Sequence, residues 1–286
     1  MNNIIITLVR IIMNIFNGYG FVTDINRMPE VIKKIDHKTY QKYYSFIKIL
    51  RAIEPLYRTY TITQTQFSIL DKITTIMQQD KVETNTVHQL IETQTVLYIL
   101  ANRMFMDNCK NFWERTKNKN LQAIIDRVNQ SIEEKNMKLL RDYALHTSLP
   151  ISQNQFSVEK NFKERKTVYR ISATIDRNKM ITTKYLGKED IRMTQRWENG
   201  KLEIVSEIKH ANKKIKQLMQ DIVTVYLKDN VSLELNNKVC KDADLWRKVL
   251  VPYHTTGIVF QSSTGIPETA LINPQLLAMA INSIIQ

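Results

Sequence analysis

Apolar residues recur at helical spacing from Pro29 to Leu149, and this pattern constrains the fold more than any other feature of the sequence. The 286 residues include only six glycines and six prolines, whereas an all-β architecture needs many turns. Pro55 and the polar stretch Lys117 to Asn120 divide the pattern, which predicts helices around residues 40–53, 67–77, 86–116, 121–128 and 131–143. Long helices joined by short polar breaks are typical of an up-and-down bundle, which we place at residues 35–150.

The pattern changes after Leu149-Pro150, because the residue before a proline disfavours the helical conformation. Alternating apolar and polar residues predict short strands at 156–162 and 168–175, and Asn199-Gly200 is typical of a turn. Further helices are expected at 201–229, 244–251 and 273–285, the last with Asn273 as its N-cap. We therefore expect a mainly α fold, in which the helical bundle is followed by a smaller mixed α/β region at residues 151–286.

Residues 1–34 contain a nearly continuous apolar run from Ile4 to Phe16. The run is shorter than the roughly 20 residues that span a bilayer, so no stable membrane insertion is expected. It also lacks the basic start and small-residue cleavage site of a signal peptide. A buried helix or strand packed on the bundle is the favoured interpretation, and a membrane-surface anchor is the alternative.

The chain is strongly basic, with 41 Lys and Arg against 28 Asp and Glu and a net charge of +13. This balance favours a polyanionic partner such as RNA, although a merely soluble basic protein would have the same composition. A basic cluster with interleaved aromatic rings suits contacts to an RNA backbone, and a solvated strand face is the alternative. The cluster consists of Lys160, Lys163, Arg165, Lys166 and Arg170.

The two cysteines, Cys109 and Cys240, form no Cys/His cluster, so neither a zinc site nor a disulfide framework is expected. This usage suits a reducing cytoplasm. The glycine-rich fingerprints of phosphate and dinucleotide sites are missing from the sequence. The sequence therefore predicts neither a bound metal nor an organic cofactor.

The segment from Lys138 to Pro150 places Arg141, Asp142 and His146 at the end of an apolar helix, which Ser131 and Glu134 open with capping-box spacing. Cleavage of RNA without a metal needs a group that transfers protons and a cation that stabilises the phosphate. Histidine suits the first role because its pKa of about 6.5 lies near working pH. Arginine suits the second through its fork of donors. Asp142 lies four residues before His146, a spacing that puts two helical residues on one face, so it is a candidate to orient the imidazole.

These residues match the RX4-6H motif, and the segment resembles that of HEPN-domain proteins. The continuation Leu149-Pro150-Ile151 is similar to one found in bacterial proteins of abortive-infection type. The resemblance covers roughly residues 35–150. It implies an all-helical domain, homodimerisation, and endoribonuclease activity that is often used as a toxin or antiphage effector. For such an effector an antitoxin or regulatory partner is a further expectation. It puts Arg141 and His146 at the two key positions and Asp142 at the polar one. Lys138, three residues before Arg141, is a separate candidate for an RNA contact.

A non-catalytic alternative stays open, because short motifs of this kind also occur by chance. Arg141 would then be a surface cation beside an acid, and His146 a cation favoured by the helix dipole. The chain would in that case be a nucleic-acid-binding, assembly or sensor module with the same helical bundle.

Overall fold

The computed structural model describes residues 19–25, 28–77, 84–146, 149, 151–161, 166–182, 186–242, 256–261 and 267–285. The chain falls into two compact units. One consists of residues 1–57 and 220–286, and the other of residues 58–219. The partition predicted from the sequence, at 1–34, 35–150 and 151–286, uses different boundaries and stays a prediction.

The fold is mainly α, as the sequence predicts. The helices of the described residues are α1 (His37–Thr74), α2 (Thr84–Thr116), α3 (Lys119–Asn129), α4 (Ile132–Ala144), α5 (Arg177–Ile181), α6 (Lys188–Thr194), α7 (Ile204–Asn230), α8 (Leu233–Lys241) and α9 (Pro274–Ile285). The strands are β1 (Tyr19–Ile25), β2 (Met28–Ile35), β3 (Thr75–Met77), β4 (Ile151–Asn161), β5 (Lys166–Asp176), β6 (Lys201–Glu203), β7 (Thr256–Gln261) and β8 (Pro267–Ile272). The predicted helix at 244–251 and the apolar run at 4–16 lie outside the described residues.

Four helices form a closed ring in the unit of residues 58–219: α1, α2, α4 and the first part of α7. Each interface in the ring contains a polar contact, and these contacts are Thr63 Oγ1 to the Ala101 carbonyl at 3.0 Å, Asn102 Nδ2 to Glu134 Oε2 at 2.9 Å, Asn136 Nδ2 to Glu207 Oε1 at 2.7 Å, and Gln64 Nε2 to Asn212 Oδ1 at 2.9 Å. Large apolar side chains such as Tyr98 and Leu140 are fully buried within the unit. The ring confirms the helical bundle and draws its fourth helix from beyond residue 150.

A small antiparallel sheet completes this unit, in the order β3-β5-β4 with β6 also paired to β5. The two predicted strands are confirmed as β4 and β5, which pair from Ile151–Ile175 to Asn161–Lys166. The predicted turn is also confirmed, since Asn199 and Gly200 have positive φ angles of 51° and 67°.

The unit of residues 1–57 and 220–286 holds a second antiparallel sheet, in the order β2-β1-β7-β8. Its helical part consists of the start of α1, the end of α7, α8 and α9. Tyr57 donates to Gln275 Oε1 at 3.3 Å, and Gln220 Nε2 donates to Ser283 Oγ at 2.5 Å. The predicted N-cap of α9 is confirmed, because Asn273 Oδ1 accepts from two backbone N–H groups of its first turn.

Three boundaries predicted from the sequence are wrong. The helical pattern begins at Pro29 in the sequence, but Met28–Ile35 forms strand β2, and the helix predicted at 67–77 gives way to strand β3 at Thr75–Met77. The third is the break predicted at Pro55. Helix α1 continues through Pro55 to Thr74, so the two segments predicted on either side of Pro55 form one helix. A proline in a helix interior removes one backbone hydrogen bond, and its ring clashes with a carbonyl of the preceding turn, at a cost of about 3 kcal/mol. The buried side chains of Ile53, Leu56 and Tyr57 outweigh that cost locally, while Pro55 itself is exposed.

No helix in the described part of the chain combines the length and apolar character that crossing a membrane requires.

Candidate functional site at the end of helix α4

Helix α4 positions the predicted site, because a cap fixes the start of the helix and buried side chains fix one of its faces. The Ser131 hydroxyl oxygen accepts a hydrogen bond from the Glu134 backbone N–H at 3.3 Å and so caps the start of the helix. Met137, Leu140 and Tyr143 are buried and hold one face of α4 in the unit. The helix ends at Ala144, so Arg141 and Asp142 occupy its last turn.

Arg141 and Asp142 form a direct ion pair. Arg141 Nε donates to Asp142 Oδ1 at 2.8 Å, and Nη2 donates to the same oxygen. The pair uses two of the five N–H donors of the guanidinium. The Arg141 side chain is 20% exposed and that of Asp142 is 35% exposed, so both are accessible from solvent while remaining ordered by their contact.

His146 lies in the turn that follows α4, and its side chain is exposed. Its backbone N–H donates to the Tyr143 carbonyl at 3.1 Å, which keeps the chain close to the end of the helix. The sequence places Asp142 and His146 on one helical face, but α4 ends before His146, so that spacing does not apply. The structure thus joins Asp142 to Arg141 and puts His146 at the same end of α4.

Lys138 is exposed on α4 three residues before Arg141, a spacing that puts the two cations on the same side of the helix. The other predicted RNA contacts are on the hairpin of β4 and β5. Lys160 is paired with Thr167, Lys166 with Asn161, and Arg170 with Ser157. Lys163 and Arg165 lie outside the described residues.

The most unusual carboxylate of this region was not recognised as such from the sequence. Glu134 is only 6% exposed, and its carboxylate accepts hydrogen bonds from Asn102 Nδ2 at 2.9 and 3.1 Å. Only one of the two hydrogen bonds of a capping box is present, the one from the Glu134 backbone N–H to the Ser131 hydroxyl. The Glu134 carboxylate faces α2 instead of the start of its own helix. The sequence does hold one signal for a buried polar partner. Asn102 is a polar residue one turn after Tyr98, on the otherwise apolar face of α2.

Burial raises the pKa of Glu134 to about 7, because it removes the charged form from water. The hydrogen bonds from Asn102 and the charges of Arg103 and Arg141 act in the opposite direction, and Asp107 raises the pKa further. Arg141 lies seven residues after Glu134, which is two turns along the same face of α4. The accessible end of α4 is therefore electrostatically connected to a buried acid.

Two other titratable groups, Tyr98 and Cys109, are buried close to Glu134. Burial raises the pKa of the Tyr98 hydroxyl and of the Cys109 thiol, and the nearby Glu134 contributes in the same direction. The Tyr98 hydroxyl has no hydrogen-bond partner within the described residues. This part of α2 therefore offers Glu134 a largely apolar setting with one amide donor.

The described ranges contain no cluster of three His, Cys, Asp or Glu side chains suited to holding a metal ion. Comparisons of the chain with protein-family models, with curated proteins and with solved structures found no match.

Proposed function

We propose that this chain is a metal-independent endoribonuclease of HEPN type, with Arg141 and His146 as its catalytic residues. The observation that carries the proposal is the end of α4, where an ordered Arg141–Asp142 pair and an exposed His146 occur within six residues. The match to the RX4-6H motif and the net charge of +13 support the same function.

In the proposed reaction His146 removes the proton from a ribose 2′-hydroxyl, and the 2′-oxygen attacks the adjacent phosphorus. The bond from phosphorus to the 5′-oxygen breaks, and that oxygen takes up a proton from water and leaves as a hydroxyl. The protonated His146 then returns its proton to water. The products are a 2′,3′-cyclic phosphate and a 5′-hydroxyl end. Arg141 binds the phosphate and stabilises the charge that develops on it. Asp142 is a positioning residue, because its carboxylate holds Nε and Nη2 of the guanidinium.

We propose further that the enzyme acts on RNA as a homodimer and serves as a toxin or antiphage effector, controlled by an antitoxin or regulatory partner. Lys138 and the basic residues of the β4–β5 hairpin would bind the RNA backbone. Contacts to several phosphates release counterions, so binding should weaken steeply between low and moderate salt.

Cleavage of an end-labelled RNA in EDTA tests the catalytic proposal. His146→Ala should lower the cleavage rate by about 10²–10⁴-fold, the usual contribution of a positioned proton-transfer group. Arg141→Lys should also lower the rate strongly, because an ammonium does not reproduce the planar fork. His210→Ala is the matched control, since His210 is an exposed histidine on α7 and should leave the rate unchanged.

The alternative function is a nucleic-acid-binding, assembly or sensor module that does not cleave. The observation that favours it is the net charge, which accounts for RNA binding without any catalytic group. Salt-sensitive RNA binding without cleavage by the wild-type protein would support this module. Cleavage that survives His146→Ala, or that EDTA stops, would refute the proposed mechanism.

A further inference from the structure

A cavity of about 350 Å³ lies between the end of α7, the start of α8 and the end of α9. All of its lining residues belong to the unit of residues 1–57 and 220–286, and the cavity is partly open to solvent. Small-molecule sites usually have volumes of about 300–1,000 Å³. At about 30 Å³ for each water-sized group, this cavity holds roughly ten non-hydrogen atoms. It therefore has the size of a site for a small ligand.

One wall of the cavity is aliphatic. Leu227 and Val231 are four residues apart on one side of α7, and the Val231 backbone N–H donates to the Leu227 carbonyl at 2.8 Å, which continues the last turn of the helix. Leu233 and Ile284 complete this wall from α8 and α9. Leu233 is 76% exposed, more than any other large apolar side chain in the described part of the chain. A ligand in the cavity would remove this surface from water.

Among the described residues that line the cavity, none is aromatic and none is a carboxylate. A planar heterocycle would therefore find no ring on which to stack, and a cationic ligand would find no counter-charge. The acid nearest in sequence on α8, Glu234, is paired with Lys42 and does not line the cavity. The wall thus suits an aliphatic chain, and the charge suits an anion.

Two polar groups at the cavity have no partner within the described residues, the ammonium of Lys228 and the side-chain amide of Asn236. The hydroxyl hydrogens of Thr224 and Ser283 are already used, since each donates to a backbone carbonyl one turn earlier at 2.9 Å. One cation and one amide donor match a single carboxylate, because the ammonium neutralises its charge and the amide binds its second oxygen. A phosphate monoester carries nearly two charges and would leave one of them unpaired.

We propose that this cavity binds an unbranched aliphatic monocarboxylate of about eight carbon atoms. The carboxylate lies at Lys228 and Asn236, and the chain lies on the aliphatic wall. Octanoate has about ten non-hydrogen atoms and so matches the volume of the cavity. None of the lining residues belongs to the proposed ribonuclease site, so this proposal does not depend on whether the chain cleaves RNA.

Isothermal titration calorimetry of the full chain with sodium octanoate tests the site. The dissociation constant should be on the order of 0.1–1 mM, given the usual efficiency of small ligands. From hexanoate to octanoate the affinity should rise about fourfold for each added methylene, and it should level off once the chain fills the cavity. Octylamine has the same chain with the opposite charge and should not bind. Absence of saturable octanoate binding at millimolar concentration, or equal binding of octylamine, would overturn the proposal.

Two variants assign the binding to this cavity. Lys228→Gln should weaken octanoate binding about fivefold, the contribution of a well-placed accessible ion pair. Lys213→Gln is the matched control, because Lys213 is an exposed lysine of α7 outside the cavity and should leave the affinity unchanged. Thr224→Trp changes an exposed residue, so it should fold normally, and its ring should fill the cavity and abolish binding. Equal losses with Lys228→Gln and Lys213→Gln, or octanoate binding that survives Thr224→Trp, would refute the assigned site.

Vesicles distinguish a free acid from the acyl chain of a membrane lipid. Sedimentation with vesicles that contain phosphatidylglycerol should be the same for the wild type and Thr224→Trp, because a chain packed in a bilayer does not enter the cavity. If Thr224→Trp abolishes sedimentation with vesicles and the wild type does not bind octanoate, the cavity takes up a lipid and the proposal is wrong.

Discussion

The two halves of helix α4 carry polar residues with opposite surroundings. In the first half, Glu134 and Asn136 are buried and hydrogen-bonded to side chains of α2, α7 and Trp197. In the second half, Lys138, Arg141 and Asp142 are accessible from solvent, and His146 follows in an exposed turn. Buried polar groups need partners and therefore affect stability, whereas accessible groups are available to a ligand. The buried polar residues of the first half therefore contribute to the stability of the fold, and the accessible ones of the second half belong to the proposed site.

The largest expected effect is a pH dependence of the free energy of unfolding, caused by Glu134 in the buried half of α4. The pKa of Glu134 is about 7 in the folded protein and 4.5 as its ordinary value, so the folded state binds the proton more tightly. Below pH 4.5 Glu134 is protonated in both the folded and the unfolded protein, so its raised pKa does not lower the free energy of unfolding. As pH rises through the window from about 4.5 to 7, the free energy of unfolding should fall by about 3 kcal/mol.

Urea unfolding followed by circular dichroism between pH 5 and 8 measures this loss. Glu134→Gln has no proton to lose and should make the pH dependence shallower than in the wild type, with a remainder of the same sign from Glu207, whose pKa burial also raises. Asp36 and Glu234 have lowered pKa values because Thr39 and Lys42 hydrogen-bond to them, so their effect has the opposite sign and appears at lower pH. If wild type and Glu134→Gln show parallel curves, Glu134 is not the acid that we describe.

A smaller loss is expected when the partner of Glu134 is removed. Asn102→Leu leaves the buried carboxylate without the donor described above, and should lower the free energy of unfolding by about 2 kcal/mol at pH 8. The loss should be smaller at pH 5, where the acid is protonated. Asn111→Leu is the matched control, because Asn111 is exposed on the same helix and should change stability by less than about 0.5 kcal/mol. An equal loss at both pH values would point to packing alone.

Local signals in the sequence predicted the elements that depend on a few neighbouring residues. Ser131 and Asn273 cap α4 and α9, and Asn199-Gly200 turns the chain, because each of these interactions is complete within four residues. The continuity of α1 through Pro55 was missed, since the packing of distant residues decides it. The position of the motif at the end of α4 could also be predicted.

The burial of Glu134 could not be predicted from the sequence. It depends on Asn102, which is 32 residues away, and on the way that α2 packs against α4. The same limit applies to the sheet β2-β1-β7-β8, whose strands pair across most of the length of the chain. The alternation within one strand predicts which of its faces is buried, but it does not identify the distant strand with which it pairs.

The smallest expected effect tests the link between the two halves of α4. The charge of Arg141 lowers the pKa of Glu134, so Arg141→Gln should move the pH transition of stability to higher pH. Arg141→Lys keeps the charge and should leave the transition in place, although it lowers cleavage in the proposed mechanism. His146→Ala is the second control, because an exposed side chain beyond the helix should change neither the transition nor the stability by more than about 0.5 kcal/mol. If the transition shifts with His146→Ala and not with Arg141→Gln, then Glu134 is coupled to the turn after α4 and not to Arg141. That result would contradict the separation between the buried half of α4 and its accessible half.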